Sequence, residues 1–207
     1  MRKLFTCINK KEPIRYFIIV LLSFTLIFIL IKSFHSKLYS NFLWVCYTCV
    51  AIIVIVLIKK NSNLILSQVI ILAIPDAIWI VDFLSVAFFG HDLTGLTNYF
   101  QSQPVLYKLV SLQHFYTVPL SLIALSFLKI KRNYKVLLFS LAELVFFFLI
   151  SSFLVFDKVD VNCVRLTCLT INLHFLPSYI IWFMFSFGFT IISYFLITSI
   201  PFFKKKI

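Results

Sequence analysis

A long apolar segment, residues 64–89, is the feature that most limits how this chain can fold. It reads LILSQVIILAIPDAIWIVDFLSVAFF and is long enough for a helix to cross a bilayer. With five more apolar segments, the chain divides into spans of about 16–34, 41–58, 64–89, 109–128, 136–156 and 173–202. The chain is 62% hydrophobic and 13% charged, whereas soluble domains are about 25% charged. The sequence therefore predicts an all-α polytopic membrane helix bundle.

Basic residues at the ends of these segments predict the orientation of the bundle. With the N-terminus in the cytoplasm, five of the 19 Lys and Arg residues fall on the outer side: Lys32, Lys37, Lys108, Lys158 and Arg165. The other fourteen then lie in the cytoplasm, as the positive-inside rule requires. We therefore expect about six transmembrane helices with both termini inside, in a single integral membrane domain over residues 1–207.

The same placement of charge limits the partners and the location. The net charge of +12 is spread over helix ends and forms no basic patch interleaved with aromatic residues, so we expect no nucleic-acid partner. We expect membrane lipid as the partner, together with a second copy of the chain or another membrane protein. The expected location is a bacterial inner or plasma membrane, or the endoplasmic reticulum if the source is eukaryotic.

Two carboxylates inside the segment 64–89 are the first functional signal. Asp76 follows Pro75, which lacks a backbone donor and predicts a kink or local unwinding. Asp82 lies six residues on, about 120° around the helix and ~9 Å further along it. A carboxylate inside a span costs roughly 2.5–3.5 kcal/mol on insertion scales, so such groups usually face a bundle interior and serve a function. The alternative is structural, with one aspartate capping freed backbone groups and the other lying at the membrane interface near the outer surface.

The fourth segment predicts a catalytic partner for these carboxylates. His114 shares a polar stripe with Ser111, Thr117 and Ser121, and we place it near the outer end of its helix, level with Asp82. A carboxylate beside an imidazole fixes its tautomer and suits it to act as a general base. We therefore assign Asp82, His114 and Asp76 as candidate catalytic residues. A histidine bonded to a backbone carbonyl is the structural alternative.

Candidate substrate-binding residues come from the long connections 90–108 and 157–172 and from the helix ends beside them. Long loops are where function tends to lie, and both fall on the outer side in the predicted topology. The candidates there are His91, Asp92, Asn98, Tyr99, Gln113, Asn162 and His174, and Trp79, between the two aspartates of the segment 64–89, is a further candidate.

Glu143, in the fifth segment, offers a different chemistry. It could be a proton site, a partner of Gln113 or Lys129, or a neutral carboxyl with one hydrogen bond. Together with Asp76 it forms a candidate pair of proton-coupling residues.

Cysteine and histidine spacing indicates neither a cofactor nor a metal. Cys46 and Cys49 form a C-x2-C pattern inside an apolar segment, which favours two small packing residues on a helix. Cys163 and Cys168 lie in an outer loop and could form a disulfide if that side is oxidising. No paired-histidine metal motif is present, so we expect no metal and no cofactor.

Four short motifs carry a resemblance to a known family. They are D-x2-W-x2-D-F (76–83), G-L-T-x-Y (95–99), S-L-x-H-x4-P (111–119) and N-C-V (162–164). In order and spacing they resemble a family of uncharacterised bacterial multi-pass membrane proteins, although Cys163 stands where the family has an aromatic residue. The resemblance covers about residues 70–180 and implies that this stretch is one unit, without implying a reaction.

Three functions stay open on these residues. The first is an enzyme that acts on a lipid or isoprenoid-linked substrate at the outer membrane face, with His114 as base, Asp82 orienting it, and Asn98, Tyr99 and Asn162 binding a head group. The second is a proton-coupled carrier of small solutes that uses Asp76 and Glu143. The third is a non-catalytic membrane subunit or assembly factor whose polar groups join helices.

Overall fold

The computed structural model describes residues 11–36, 43–97, 100, 102–130, 133–153, 162 and 177–203. Within these ranges the chain forms seven α-helices and a short 3-10 helix at Pro201–Phe203. The α-helices are α1 (Lys11–Ser36), α2 (Val45–Ile58), α3 (Ser62–Phe89), α4 (Val105–Ser111), α5 (Gln113–Leu128), α6 (Tyr134–Phe153) and α7 (Ser178–Ser199). The predicted all-α helix bundle is confirmed.

Five helices of the described chain are long and apolar enough to cross a membrane. They are α1, α3, α6, α7 and the combined helix Val105–Leu128, in which α4 and α5 follow each other through Leu112. The segment predicted at 41–58 forms only the 14-residue α2, which at 1.5 Å per residue reaches about 21 Å against a hydrocarbon core of about 30 Å. Of the six predicted spans, five therefore correspond to helices of spanning length, and the segment 41–58 corresponds to a shorter apolar helix.

Helix α3 is the centre of the bundle and contacts α2, α5, α6 and α7. Its first half, Ile65–Leu72, is buried on every side. The helix begins at Asn61, whose side-chain oxygen accepts hydrogen bonds from the N–H groups of Asn63 and Leu64, both at 3.2 Å. It ends at Gly90, whose φ of 76° closes the last turn in a left-handed conformation that glycine adopts without strain.

Pro75 lies inside α3 and does not interrupt it. The helix continues from Ser62 to Phe89, so the predicted local unwinding is absent. A proline removes one backbone donor, a loss that a long membrane helix tolerates because its neighbours and local adjustments satisfy the freed carbonyl.

Arg15 holds the end of α2 against α1. Its Nη1 donates a hydrogen bond to the carbonyl oxygen of Leu57 at 2.9 Å, and the side chain is buried. The Glu12 carboxylate accepts from Arg15 Nε at 3.1 Å and from Lys60 Nζ at 2.8 Å. The last carbonyls of a helix lack partners within it and carry partial negative charge. The guanidinium of Arg15 supplies both a hydrogen-bond donor and a positive charge at this helix end.

Replacing this donor is expected to destabilise the bundle. Arg15→Met keeps an aliphatic stem of similar length but removes the guanidinium, so a buried carbonyl loses its charged donor. This loss should lower the free energy of unfolding by about 2 kcal/mol. Denaturant unfolding of the purified protein in detergent micelles measures the change. Lys60→Gln, at an exposed position of the same network, should cause a clearly smaller loss, and equal losses would contradict the role assigned to Arg15.

Candidate functional site

Four buried side chains follow one another on α3 at three-residue steps: Asp76, Trp79, Asp82 and Ser85. Pro75 before them and Ala77 and Val81 between them are exposed. Trp79 separates the two carboxylates, which at helical rise lie ~9 Å apart along the axis. The two aspartates therefore lie in different surroundings.

His114 lies beside Asp76. Its Nδ1 is 2.7 Å from the carbonyl oxygen of Ser111, and because a carbonyl only accepts, this nitrogen carries the proton. Nε2 is then the free acceptor of the neutral ring, and it lies 3.9 Å from Asp76 Oδ1. This distance is longer than a hydrogen bond and leaves room for a third group that contacts both atoms.

Aromatic rings hold the imidazole in this position. The His114 ring stacks on Trp79 with centroids 4.6 Å apart and planes inclined by 19°. The Phe115 ring meets the Trp79 ring edge-on, with centroids 5.8 Å apart. The Phe83 ring also stacks on Trp79, with centroids 5.3 Å apart. Such pairs stabilise by roughly 0.5–1.5 kcal/mol each beyond the area they bury, so the orientation of His114 is fixed by packing as well as by the Ser111 carbonyl.

Asp82 binds the loop that follows α3. Its Oδ1 accepts from the backbone N–H groups of Leu93 at 2.8 Å and Thr94 at 2.6 Å. Its Oδ2 accepts from the backbone N–H of Thr97 at 2.9 Å and from the Thr97 hydroxyl at 2.7 Å. Ser85 adds a hydrogen bond from its hydroxyl to the His91 carbonyl at 2.9 Å.

The expected pairing of Asp82 with His114 is thereby corrected to Asp76 with His114. Four donors converge on Asp82 and account for both of its oxygens, so the role of this carboxylate is structural. The combined helix begins at Val105 and not at the predicted residue 109, so His114 lies nine residues, or ~14 Å, inside it. That places the imidazole level with Asp76 at mid-span.

Asp76 and His114 line a cavity of about 290 Å³ between the start of α2, the middle of α3 and the first half of α7. The lining is mostly aliphatic and aromatic, with Cys46, Asn162 and Ser186 as its other polar residues. All three tryptophans of the chain line it: Trp44, Trp79 and Trp182. An apolar cavity with a few convergent polar groups is the usual form of a small-molecule site.

Asn162 joins three helices at the edge of this cavity. Its Oδ1 accepts from the Val45 N–H at 2.8 Å, and its Nδ2 donates to the Leu43 carbonyl and the Ser151 hydroxyl, each at 2.8 Å. Its own carbonyl accepts from Trp182 Nε1 at 2.8 Å. A φ of 61° puts this residue in the left-handed region, which asparagine tolerates better than most residues. Asn162 therefore fastens α2, α6 and α7 around the cavity.

The remaining predicted binding residues are placed as follows. Trp79 lines the cavity with Asn162, whereas Gln113 is buried on α5 with both its amide atoms unpaired among the described residues and does not line it. His91 is exposed and Asp92 is half-buried, both away from the cavity lining. Asn98, Tyr99 and His174, like Cys163 and Cys168, lie outside the described residues.

Glu143 lies outside the cavity lining as well. Its Oε2 accepts a hydrogen bond from Gln68 Nε2 at 2.8 Å, so its partner on α3 is Gln68 and neither Gln113 nor Lys129. The Glu143 Oε1 and Gln68 Oε1 atoms are buried without a hydrogen-bond partner. Glu143 and Asp76 thus belong to separate polar contacts of the same central helix.

Three cavity residues were not identified from the sequence as site residues. Cys46 was expected to be a packing residue, and it and Cys49 are free thiols. Ser186 and Trp182 sit four residues apart on α7, so the only sequence signal was a small polar residue one helical turn from a tryptophan. Within the described ranges, no group of three or more His, Cys, Asp or Glu residues is arranged to hold a metal ion.

No family model, curated protein or solved structure matches this chain. The resemblance of its four motifs to an uncharacterised bacterial membrane family stays a prediction. The structure does give two of those motifs a shared location, since Asp76, Trp79 and His114 meet at the cavity.

Removing one Asp82 oxygen is expected to release the loop that it binds. In Asp82→Asn an amide N–H group replaces one acceptor and faces other donors, so the backbone N–H groups of residues 93–97 lose partners. Hydrogen exchange followed by mass spectrometry should show faster exchange in these residues and little change in α3. Asp92→Asn, one residue before this segment, should leave the exchange rates unchanged; similar acceleration in both variants would contradict the assignment.

Proposed function

We propose that the protein is a membrane-embedded enzyme that acts on a lipid-like substrate, with His114 as general base and Asp76 as its charge partner. The observation that carries this proposal is that His114 Nε2 lies 3.9 Å from Asp76 Oδ1 at the wall of an apolar cavity. Ionisable side chains inside a membrane span are costly, and their presence there is a functional-site hypothesis by default.

The tautomer of His114 supports proton abstraction. Because the Ser111 carbonyl keeps the proton on Nδ1, the ring can accept a further proton only at Nε2. The resulting imidazolium would lie beside the Asp76 carboxylate, and opposite charges attract more strongly in apolar surroundings than in water. The pair is thus suited to remove a proton from an O–H or N–H group held between its two acceptors.

The shape of the cavity supports a lipid-like substrate. Most of its lining is hydrocarbon or aromatic, and Pro75, one of the lining residues, is exposed at the surface of α3 halfway along the span. Ile78, Phe185 and Phe189 are also partly exposed where they line it. In a bilayer this rim faces acyl chains, so a substrate could reach the pair sideways from the membrane. The reaction would then take place at mid-span and not at the outer face.

A change in membrane lipids is the expected result of expressing the protein. Wild type should convert one or more lipid species in a bacterial host that lacks it, and lipid extraction followed by mass spectrometry detects substrate loss and product gain. His114→Gln should slow this conversion roughly 100-fold or more, because general bases contribute about that much. Asp76→Asn should also slow it, since the amide cannot neutralise the imidazolium.

His35→Gln provides the matched control for this experiment. His35 is an exposed histidine in the last turn of α1 and is absent from the cavity lining, so the variant should convert lipids like wild type at equal protein abundance. Equal conversion by His114→Gln and wild type would refute the role of His114 as base. An unchanged lipid profile in the wild-type cells would count against the enzyme.

A proton-coupled carrier is the second candidate, and the contact between Gln68 and Glu143 favours it. Glu143 lies halfway along α6, and its Oε2 accepts the Gln68 hydrogen bond at 2.8 Å. In liposomes that contain a pH-sensitive dye, a carrier should give proton flux that Glu143→Gln abolishes and His114→Gln preserves. The enzyme predicts the reverse dependence, with activity lost only in His114→Gln and Asp76→Asn. If both assays are silent, the third function, a non-catalytic subunit, gains support.

A further inference from the structure

Two acceptors that line the cavity have no donor among the described residues. Asp76 contributes a carboxylate that receives no hydrogen bond from the described residues, and His114 contributes the free Nε2. Asp76 is almost completely buried, with 3% of its surface exposed. A buried acceptor without a donor loses its hydration, so a ligand that donates to it recovers that free energy.

Three donors at the cavity wall are already engaged. Asn162 Nδ2 donates one hydrogen bond to Leu43 O and one to Ser151 Oγ, and Trp182 Nε1 donates to Asn162 O. His114 Nδ1 donates to Ser111 O. The Trp44 indole N–H and the Ser186 hydroxyl are further donors among the lining residues, and both are uncharged.

No Lys or Arg belongs to the described cavity lining. Lys32 on α1 donates to the Tyr47 hydroxyl at 2.8 Å, and its ammonium group lies over the rings of Tyr47 and Tyr107 at 5.1 and 5.0 Å. Its charge is therefore used beside the cavity and not in its wall. An anionic head group would lose its hydration in the cavity without a cation to pair with.

From these charges and contacts we infer that the cavity binds an apolar molecule whose head group is an alcohol or an amine, and that it excludes carboxylates and phosphates. The inference rests on the proposed function of the same site and specifies its substrate class. An amine would donate one hydrogen to His114 Nε2 and another to Asp76, whereas an alcohol would donate its one hydrogen to one of these acceptors. The chain would lie along Trp79, Trp182 and Phe185.

The tryptophans provide a direct measurement of binding. Because all three line the cavity, a bromine atom on a bound chain should quench the intrinsic fluorescence by contact. The probes are four ω-bromoalkyl compounds of one chain length that end in an amine, an alcohol, a carboxylate or a phosphate. The full-length protein in nonionic detergent is titrated with each, and the same alcohol without bromine is added as competitor to identify saturable quenching.

The amine and the alcohol are expected to give saturable quenching at concentrations about tenfold or more below those of the carboxylate and phosphate, because a buried anion without a paired cation loses its hydration. Asp76→Asn should reduce this difference by improving the binding of the carboxylate. Glu12→Gln makes the same chemical change at the opposite end of α2 from the cavity, so it should keep the wild-type preference.

The outcomes separate this inference from the proposed function. Quenching by carboxylate or phosphate at concentrations equal to or below those of the alcohol and amine would overturn the inference and leave a lipid-binding site in place. Absence of saturable quenching by all four probes would overturn both. Because the comparison among the four head groups is made on wild type, the result stands even if Asp76→Asn does not fold.

Discussion

The structure depends on the requirement that every polar group inside an apolar slab finds its partner within the bundle. α3 meets most of this requirement because it contacts four other helices along its length. Both oxygens of Asp82 are satisfied by the loop beyond the helix, and the amide nitrogen of Gln68 by Glu143 on α6. Asp76 differs from both, since its carboxylate receives no hydrogen bond from the described residues and opens onto a cavity. The contrast between these carboxylates on one helix singles out the position where a ligand would complete the structure.

The bundle itself was predictable because membrane helices follow from composition over long windows. Each predicted segment contains a helix within the described ranges, and 64–89 differs from α3 by only two residues at one end. A span's length is set by the bilayer and its apolar character by the absence of water, so neither depends on neighbouring helices. The N-in, C-in orientation stays a prediction from charge placement, since the structure contains no membrane.

The site was harder to predict because it depends on helix rotation and axial shift. The fourth segment was predicted to begin four residues too late. This error placed His114 level with Asp82, whereas it lies level with Asp76. The sequence also contains no signal that a backbone loop would deliver four donors to Asp82. Trp79 and Asn162 were expected to bind substrate, and both line the cavity. The polar atoms of Asn162, however, are used in hydrogen bonds to three helices.

The short α2 has a consequence for the surrounding lipid. At about 21 Å it is roughly two-thirds of the hydrocarbon thickness, while α3 beside it has twice as many residues. Ile55 and Ile58 are exposed on α2, so acyl chains adjoin a helix too short to match them. Such hydrophobic mismatch draws the two leaflets closer together at a cost of fractions of a kcal/mol per Å. The bilayer would accordingly be thinner beside α2 than around the longer helices, and lipid head groups there would sit nearer to the buried carboxylate than in an unperturbed membrane.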